Sequence, residues 1–416
     1  MAARKKQIKN ILKRYPLAKF ILFFVSIFIG FILGVKREYL SFGGDQTSAV
    51  RLGKNDVISS RELKKLFESQ PADAGVSQED SLTMINVHTP YEGEIAGTDT
   101  FIEYDSITAS EARLPKDKNA SIVLYCKSGN MSEQALKTLK GMGYKNVKHL
   151  DGGMDAWKKD GNELLDLSGL PGQVLPESGF ELPISWGDIA PRLVELGVID
   201  KEKFEKAVGM GEEEKMVFEG KKDQPIKINA QNSQFVVDVL WALGLAQKSL
   251  VYDEGPMGKE YKDKAGNFAS TGGWTLAKGD VMSHYNKHDL INLTPEDHKR
   301  IMDLAGNVYR PCCGNHTAFP DCNHGMAALA AIELMVSKGI SDDEIYKNVL
   351  KLNSFWFGNS YLTTATYFAR QGVSWDKVDA KEVLGSDYSS GQGAGKISQK
   401  VGPLPYVTNS GGGCGA

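Results

Sequence analysis

At residues 121–132 the chain reads SIVLYCKSGNMS, and this stretch carries its strongest local signal. The apolar run before the cysteine predicts a buried strand, and the residues from Ser132 onward follow a helical pattern. Cys126 therefore lies where a strand passes into a helix. A short loop containing Gly129 can direct several backbone N–H groups at one point, and the helix N-terminus adds positive potential there. Because both effects favour thiolate over thiol, we expect a reactive cysteine rather than an ordinary buried one.

Two further segments accompany this loop. Residues 84–95 read MINVHTPYEGEI, and residues 143–157 run from GYKNV to LDGGMDAW. With residues 126–132 they resemble the rhodanese family over residues 56–165. The resemblance implies an α/β domain with a parallel sheet, and a sulfurtransferase whose cysteine carries sulfane sulfur as a persulfide from a donor to a nucleophilic acceptor.

The resemblance also implies roles for individual residues. Cys126 would be the covalent nucleophile. Backbone N–H groups of the loop would hold the transferred anionic sulfur, and Lys127 and His88 would add positive charge for a small anionic donor such as thiosulfate or a persulfide. The acceptor would be a thiol, and sulfur transfer would need no cofactor. The predicted substrate-binding residues are Lys127, Ser128, Gly129, Asn130, Met131, Ser132 and His88.

The chain departs from the family pattern at three positions. Many members have Asp and Arg where this chain has Asn86 and His88, and a loop Arg where it has Met131. The identity of the donor therefore stays open. Related folds with phosphatase or arsenate-reductase activity need a guanidinium at the end of the loop to bind the oxyanion in a bidentate way. Because this loop has none, we do not expect those activities.

Residues 17–35 predict a transmembrane helix, since they contain one charge, Lys19, and are long enough to cross a bilayer. Only Lys36 and Arg37 follow directly, whereas the basic tail at 1–16 is much richer in positive charge. The positive-inside rule therefore predicts a cytoplasmic N-terminus and extracytoplasmic domains. A cleaved signal peptide is the alternative. The basic residues of the tail are Arg4, Lys5, Lys6, Lys9, Lys13 and Arg14.

Composition agrees with soluble domains behind an anchor. The 416 residues carry 49 basic and 52 acidic side chains, a net charge of -3 that gives no reason to expect nucleic-acid binding. The five cysteines are an odd and sparse set, so they do not predict a disulfide framework. Reactive or metal-binding roles fit them better.

The remaining chain divides at its loop-like stretches. We expect a linker at 36–55, a second linker at 166–181, a mainly α-helical domain at 182–388, and a flexible Gly/Ser-rich tail at 389–416. Within the helical domain, helices are predicted at 189–196, 233–245, 294–308, 325–337 and 342–371, with short strands at 272–275. The predicted fold class is thus multidomain: a membrane helix, an α/β rhodanese-like domain and a mainly α-helical C-terminal domain.

Three cysteines and two histidines lie close together in the helical domain, at Cys312, Cys313, His316, Cys322 and His324. Thiolates and imidazoles are ligands of zinc and other transition metals, although the spacing matches no standard zinc finger. The alternatives are thiol or persulfide chemistry, and a structural disulfide. The surrounding segment resembles uncharacterised bacterial sequences, which suggest no activity. A second pair, His284 and His288, would share a helix face if helical, although a loop is favoured there.

The tail ends near Cys414, a thiol on a segment that composition predicts to be mobile. With Cys312, Cys313 and Cys322 it is a candidate relay or resolving thiol. Two functions follow. One is a membrane-anchored extracytoplasmic sulfurtransferase acting through Cys126, and the alternative is a non-catalytic sulfur-sensing or metal-binding envelope protein with a degenerate rhodanese module.

Overall fold

The structure is a computed structural model that describes residues 55–68, 82–220, 223–404 and 406. The predicted membrane span at 17–35, its basic flank and Cys414 lie outside these ranges. Within them, no helix is both long enough and apolar enough to cross a membrane.

The N-terminal half is built on a parallel sheet, as the resemblance to the rhodanese family implies. The strands are β1 (Val57–Ile58), β2 (Thr83–Asn86), β3 (Thr100–Phe101), β4 (Ile122–Tyr125) and β5 (Val147–Leu150), in the spatial order β1-β5-β4-β2-β3. Every pairing is parallel. The connecting helices are α1 (Ser60–Glu68), α2 (Asn130–Gly141) and α3 (Gly153–Lys159), with a 3-10 turn at Thr108–Arg113.

Both faces of this sheet are covered, because successive strand residues point to opposite sides. Ile122 and Leu124 of β4 pack in one apolar cluster with Leu136 of α2. Val123 and Tyr125 pack in a second cluster, which includes Trp157 of α3. All four residues of β4 are buried, so the strand that leads into Cys126 lies in the interior.

The C-terminal half is mainly helical, as predicted. Its first helices are α4 (Leu170–Val174), α5 (Ile189–Glu195), α6 (Lys201–Val208), α7 (Glu212–Glu219), α8 (Ser233–Ala246), α9 (Leu250–Glu254) and α10 (Pro256–Lys259). The later ones are α11 (Pro295–Gly306), α12 (Asn323–Ser337), α13 (Asp342–Trp356), α14 (Gly358–Arg370), α15 (Ala380–Leu384), α16 (Ser386–Ser389) and α17 (Gly391–Val401). Short 3-10 turns lie at Lys262–Asn267, Val281–Ser283 and Trp375–Lys377.

Several of these helices begin where local signals place them. Thr294 and Asp297 form a reciprocal capping box at the start of α11, with Pro295 in the first turn. The apolar runs of α8 and α12 are almost wholly buried, as expected for helices in the centre of a core. The predicted helix region at 342–371 is two helices, α13 and α14, which meet at Phe357.

The strand prediction for 272–275 is wrong. Residues 271–273 form a turn, and the turn directs Trp274 into the core, where its indole N–H donates to the Val198 carbonyl at 2.8 Å. The strands of this half are instead β6 (Phe180–Ser185) and β7 (Pro225–Ile228), an antiparallel pair. An aromatic residue beside glycines signals burial at a turn as readily as a strand.

The helical half extends beyond its predicted bounds on both sides. Inside the predicted linker at 166–181, α4 buries Leu170 and Val174 in the core of the helical half. Inside the predicted tail at 389–416, α17 runs to Val401. Ser390 caps it by accepting the Gly393 N–H at 2.9 Å. The glycine and serine content of these two regions therefore predicted flexibility, whereas helix capping and burial hold the chain there in an ordered conformation.

The two halves share a buried ion pair. The Arg370 guanidinium at the end of α14 donates to both carboxylate oxygens of Glu94, at 2.7 and 3.1 Å. Both side chains are at most 2% exposed. The Thr100 hydroxyl also donates to the Val401 carbonyl of α17 at 3.2 Å. The sheet edge and the helical half therefore pack as one unit.

Candidate functional site

Cys126 follows β4 directly and is 1% exposed. Its Sγ accepts the Gly129 backbone N–H at 3.1 Å. Gly129 has a φ of 101°, a conformation that side chains disfavour, and α2 begins at the next residue. The first turn of a helix has N–H groups without intrahelical acceptors. The sulfur therefore lies beside a backbone donor at the start of a 12-residue helix.

A second element fixes the other side of the loop. The N–H groups of Met154 and Asp155, in the first turn of α3, donate to the carbonyls of Cys126 and Lys127 at 2.8 and 2.9 Å. Gly153 has a φ of 54°, and a Cβ there would overlap the Cys126 carbonyl oxygen. Gly153 of the third rhodanese-like segment is thus needed for close approach to the thiol loop.

The thiol also faces a hydroxyl, and that hydroxyl lies near an imidazole. The Cys126 Sγ lies 3.6 Å from Ser132 Oγ, and Ser132 Oγ lies 3.4 Å from His149 Nδ1. Burial lowers the pKa of His149, so its imidazole is neutral near neutral pH. Sequence reasoning missed His149 because it lies on β5, and only the register of Leu124 against His149 brings it to this loop.

A carboxylate that sequence reasoning also missed stands at the predicted anion-binding face. Glu92 Oε2 pairs with Lys127 Nζ at 2.7 Å, and Glu92 Oε1 lies 3.7 Å from His88 Nε2. His88 is buried rather than open to solvent. That Lys127 and His88 attract an anionic donor stays a prediction. The negative charge of Glu92 partly offsets their positive charge. Glu92 lies within the rhodanese-like segment 84–95. Its acidic side chain beside His88 was the sequence signal that could have identified it.

The other predicted loop residues differ in exposure. Ser128 and Asn130 are exposed, whereas Met131 is partly buried against the core of the sheet domain. An apolar side chain therefore occupies the position where many family members have an arginine.

The C-terminal cysteines meet in space. The Sγ atoms of Cys312, Cys313 and Cys322 all lie within 4.8 Å of one another, and the Cys312 and Cys322 sulfurs are 3.7 Å apart. All three are free thiols, as is Cys126. Cys322 is the N-cap residue of α12. Contacts with the Cys312 and Cys313 thiols, together with Arg310, hold the pKa of Cys322 well below its usual range, in the direction that its place before a helix predicts.

An unpredicted arginine supports this cluster. Arg310 is fully buried, and its guanidinium donates to Asp321 Oδ1 at 2.8 Å. Asn315 donates to the other oxygen of Asp321 at 2.8 Å. A Cβ on Gly325 would overlap the guanidinium, so α12 approaches Arg310 closely because that residue is glycine.

The predicted histidines behave differently from the cysteines. His324 packs against Phe357 with ring centroids 4.5 Å apart, and His316 against Tyr309 at 5.9 Å. Neither belongs to the mutually close thiol group. His284 and His288 do not share a helix, but a turn places His284 Nδ1 3.1 Å from His288 Nε2.

Comparisons with known proteins address the N-terminal half. The family model of the rhodanese-like domain matches residues 84–160. The probable adenylyltransferase/sulfurtransferase MoeZ of Mycobacterium tuberculosis is 35% identical over 115 residues, which are 27% of this chain and 26% of MoeZ. The adenylyltransferase and sulfurtransferase UBA4 of Candida albicans is 40% identical over 75 residues, which are 18% of this chain and 16% of UBA4.

Among solved structures, a rhodanese-like domain protein from Staphylococcus aureus is 26% identical, with a TM-score of 0.21, and covers 27% of this chain and 100% of that one. This chain spans only about a quarter of MoeZ and less of UBA4, so the similarity concerns one part of each relative. The chain contains a rhodanese-like domain, and its similarity to sulfurtransferases supports a role in sulfur transfer.

Proposed function

We propose that this protein is a sulfurtransferase in which Cys126 carries sulfane sulfur as a persulfide between a small anionic donor and a thiol acceptor. One observation carries the proposal: the Cys126 sulfur accepts the Gly129 N–H at 3.1 Å at the start of α2, in a domain that matches the rhodanese-like model. Backbone donors and a helix N-terminus stabilise negative charge on sulfur.

The reaction has two displacements. The Cys126 thiolate attacks the outer sulfur of thiosulfate, the S–S bond of the donor breaks, and sulfite leaves with the bonding electron pair. Cys126 then holds a persulfide. An acceptor thiolate attacks the terminal sulfur, the Cys126–sulfur bond breaks, and the acceptor departs as a persulfide while Cys126 returns to thiolate. Each step conserves charge and electrons, so no external oxidant is needed.

Ser132 and His149 support the thiolate stage. The Cys126 thiol lies 3.6 Å from the Ser132 hydroxyl, which can rotate toward the sulfur once the thiol proton has left. The hydroxyl, which donates to the Gly129 carbonyl at 2.9 Å, lies 3.4 Å from His149 Nδ1. Once it turns from that carbonyl, it can accept the thiol proton and pass its own proton to the neutral imidazole. Ser132 thus links the sulfur to a base on β5.

A sulfur donor that approaches Cys126 encounters both the positive charge of Lys127 and the negative charge of Glu92. Lys127 attracts an anion, and Glu92 holds the ammonium at 2.7 Å and repels the anion. A donor of low charge, such as a low-molecular-weight persulfide, therefore competes better here with thiosulfate than it would at a loop with an unpaired cation.

The test is peptide mass spectrometry of the reduced full chain after exposure to thiosulfate or to a low-molecular-weight persulfide. We expect one added sulfur atom on the Cys126 peptide, none in Cys126→Ser, and full uptake in the matched control Cys313→Ser. A Cys126 that reacts with an alkylating agent but takes sulfur from neither donor would show that the domain binds sulfur species without transferring them.

The same peptide map identifies acceptors within the chain. The candidates are Cys312, Cys313, Cys322 and Cys414. The cluster and the sheet edge lie at opposite ends of α17, because Gly391 N–H donates to the Cys313 carbonyl at 2.6 Å while Val401 accepts from Thr100 at 3.2 Å. Sulfur on these cysteines in the unmodified sequence, but not in Cys126→Ser, identifies a relay.

The proposed location is the cell membrane, with residues 17–35 as a single anchor, a cytoplasmic N-terminus and both domains extracytoplasmic. Alkaline extraction of membranes tests the anchor: the full chain should stay in the membrane pellet, and a variant without residues 17–35 should not. Protease added outside intact spheroplasts should cleave the domains. Protection of the domains from that protease would overturn the orientation.

A further inference from the structure

The three thiols of the helical half have the spacing of a metal-thiolate site. Zn–S bonds of about 2.3 Å in a tetrahedron place neighbouring sulfurs about 3.8 Å apart. The Cys312 and Cys322 sulfurs are 3.7 Å apart, and Cys313 lies within 4.8 Å of both. A disulfide would need an S–S distance of about 2.05 Å. We propose that Cys312, Cys313 and Cys322 bind one thiophilic transition-metal ion, independently of sulfur transfer at Cys126.

The scaffold around the thiols holds them in place without a metal. Tyr309 and His316 form an isolated antiparallel bridge that closes the loop carrying Cys312 and Cys313. The Cys313 carbonyl accepts the Gly391 N–H at 2.6 Å, which ties this loop to α17. Cys322 is fixed as the N-cap of α12, a 15-residue helix. The ligands therefore come from two chain segments that packing holds together, and binding needs little reordering.

The charges around the site also fit a bound cation with excess thiolate. Three thiolates around a divalent ion leave one negative charge. The fully buried Arg310 guanidinium interacts electrostatically with all three thiols, and the α12 N-terminus adds positive potential. Asp321 orients Arg310 at 2.8 Å, and Asn315 in turn orients Asp321. Such supporting hydrogen bonds position metal ligands and tune their affinity.

The donor set selects the kind of metal. Sulfur-only ligation favours zinc and copper(I) over calcium and magnesium, which prefer oxygen. Among the described residues neither His316 nor His324 joins the thiol group, so this part of the chain supplies three ligands and leaves a fourth position for water or an exogenous ligand. Cys312 is exposed, which gives the ion and that ligand a route from solvent.

The test titrates the reduced, metal-free full chain with Co²⁺ and then with Zn²⁺. We expect one Co²⁺ per chain with a strong near-ultraviolet thiolate-to-cobalt charge-transfer band, which Zn²⁺ abolishes by displacement. Cys312→Ser and Cys322→Ser should lose the band. The matched control Cys126→Ser should keep both band and stoichiometry, which separates this proposal from the outcome at Cys126. Asp321→Asn should weaken Zn²⁺ binding by about 10–100-fold.

A second measurement decides the proposal even if the cysteine variants fail to fold. In the unmodified sequence, Zn²⁺ should slow alkylation of Cys312, Cys313 and Cys322 and leave the rate at Cys126 unchanged. A reduced, folded chain that binds no Co²⁺, shows no charge-transfer band, or gains no protection of these three thiols from Zn²⁺ would overturn the site. Equal protection of Cys126 would also overturn it, since binding would then be nonspecific.

Discussion

The molecule holds its thiols in two contrasting ways. Among the cysteines that the structure describes, Cys126 is solitary, buried and held by backbone groups, with a Gly129 N–H on its sulfur and two α3 N–H groups on the flanking carbonyls. Cys312, Cys313 and Cys322 are grouped, partly open to solvent and supported by a buried arginine. A solitary thiol can carry a persulfide without a neighbouring thiol discharging it. Grouped thiols can share an ion or form a disulfide, so the two sites suit different chemistry.

The largest effect is expected from a substitution that disturbs the backbone around the solitary thiol. Gly153→Ala places a Cβ on the Cys126 carbonyl oxygen and should cut sulfur uptake by about 100-fold or more, with a loss of stability of about 2 kcal/mol or more. Gly161→Ala is the control, because its φ of 82° also lies in the left-handed region and nothing lies within 4 Å of the added Cβ. Mass spectrometry measures sulfur uptake, and chemical denaturation measures the free energy of unfolding, for both variants. Equal behaviour of the two variants would show that the loop tolerates displacement.

The next largest effect is expected from removing Arg310, which supports the grouped thiols. Arg310→Met leaves Asp321 without its buried partner and should destabilise the helical half by about 3–5 kcal/mol. Arg300→Met, which removes a pair with the exposed Asp342, should cost about 1 kcal/mol or less. Thermal and urea unfolding compare them. Sulfur uptake at Cys126 should persist in both variants under conditions where they stay folded, and its loss in Arg310→Met alone would couple the two sites.

Stability should depend on pH differently in the two halves. Burial raises the pKa of Glu333 on α12 from 4.5 to about 8, and neither carboxylate oxygen has a hydrogen-bond partner of good geometry among the described residues. Burial raises the pKa of Asp99 from 3.8 to about 6, although Asp99 accepts the Met84 N–H at 2.8 Å.

A raised folded-state pKa gives stability that is complete below the unfolded value and is lost as pH rises through the folded value. Glu333 should therefore remove stability between about pH 4.5 and pH 8, and Asp99 only up to about pH 6. Each pKa unit corresponds to about 1.4 kcal/mol. Glu333→Gln should flatten the melting profile between pH 6 and pH 8, and Asp99→Asn should not. If the melting temperature of Glu333→Gln still falls between pH 6 and pH 8, another titrating group causes that pH dependence.

The smallest effect concerns charge at the solitary site. Glu92→Gln releases Lys127 from its 2.7 Å pair and should lower the KM for thiosulfate by about 2–5-fold, with kcat nearly unchanged. The effect should shrink at high salt, because exposed charges are screened. Glu344→Gln is the control, since it breaks a similar exposed pair, with Lys347, on α13 of the helical half. A change in kcat rather than KM would place Glu92 in the transfer step.

Features that depend on neighbours in sequence were predictable from sequence. The apolar run of β4, the glycine in the loop and the helix after it placed Cys126 at a strand-to-helix junction, as observed. The capping box at Thr294 placed α11. Local signals failed where composition misled. The glycines and serines near 391 indicated a mobile tail, yet Ile397 and Val401 on one face of α17 are buried, and that burial orders the helix.

The sequence alone determined that Cys126 lies at a strand-to-helix junction and that the second half is helical, because hydrophobic periodicity, capping and turn residues act within a few residues, while the resemblance to the rhodanese family implied the parallel sheet. Only the tertiary structure decided which distant side chains meet. Strand register brings His149 to Ser132, chain folding joins Glu94 to Arg370, and helix packing gathers three thiols over Arg310. These contacts depend on how whole elements pack, and a contact between residues far apart in the chain leaves no periodic pattern around either of them.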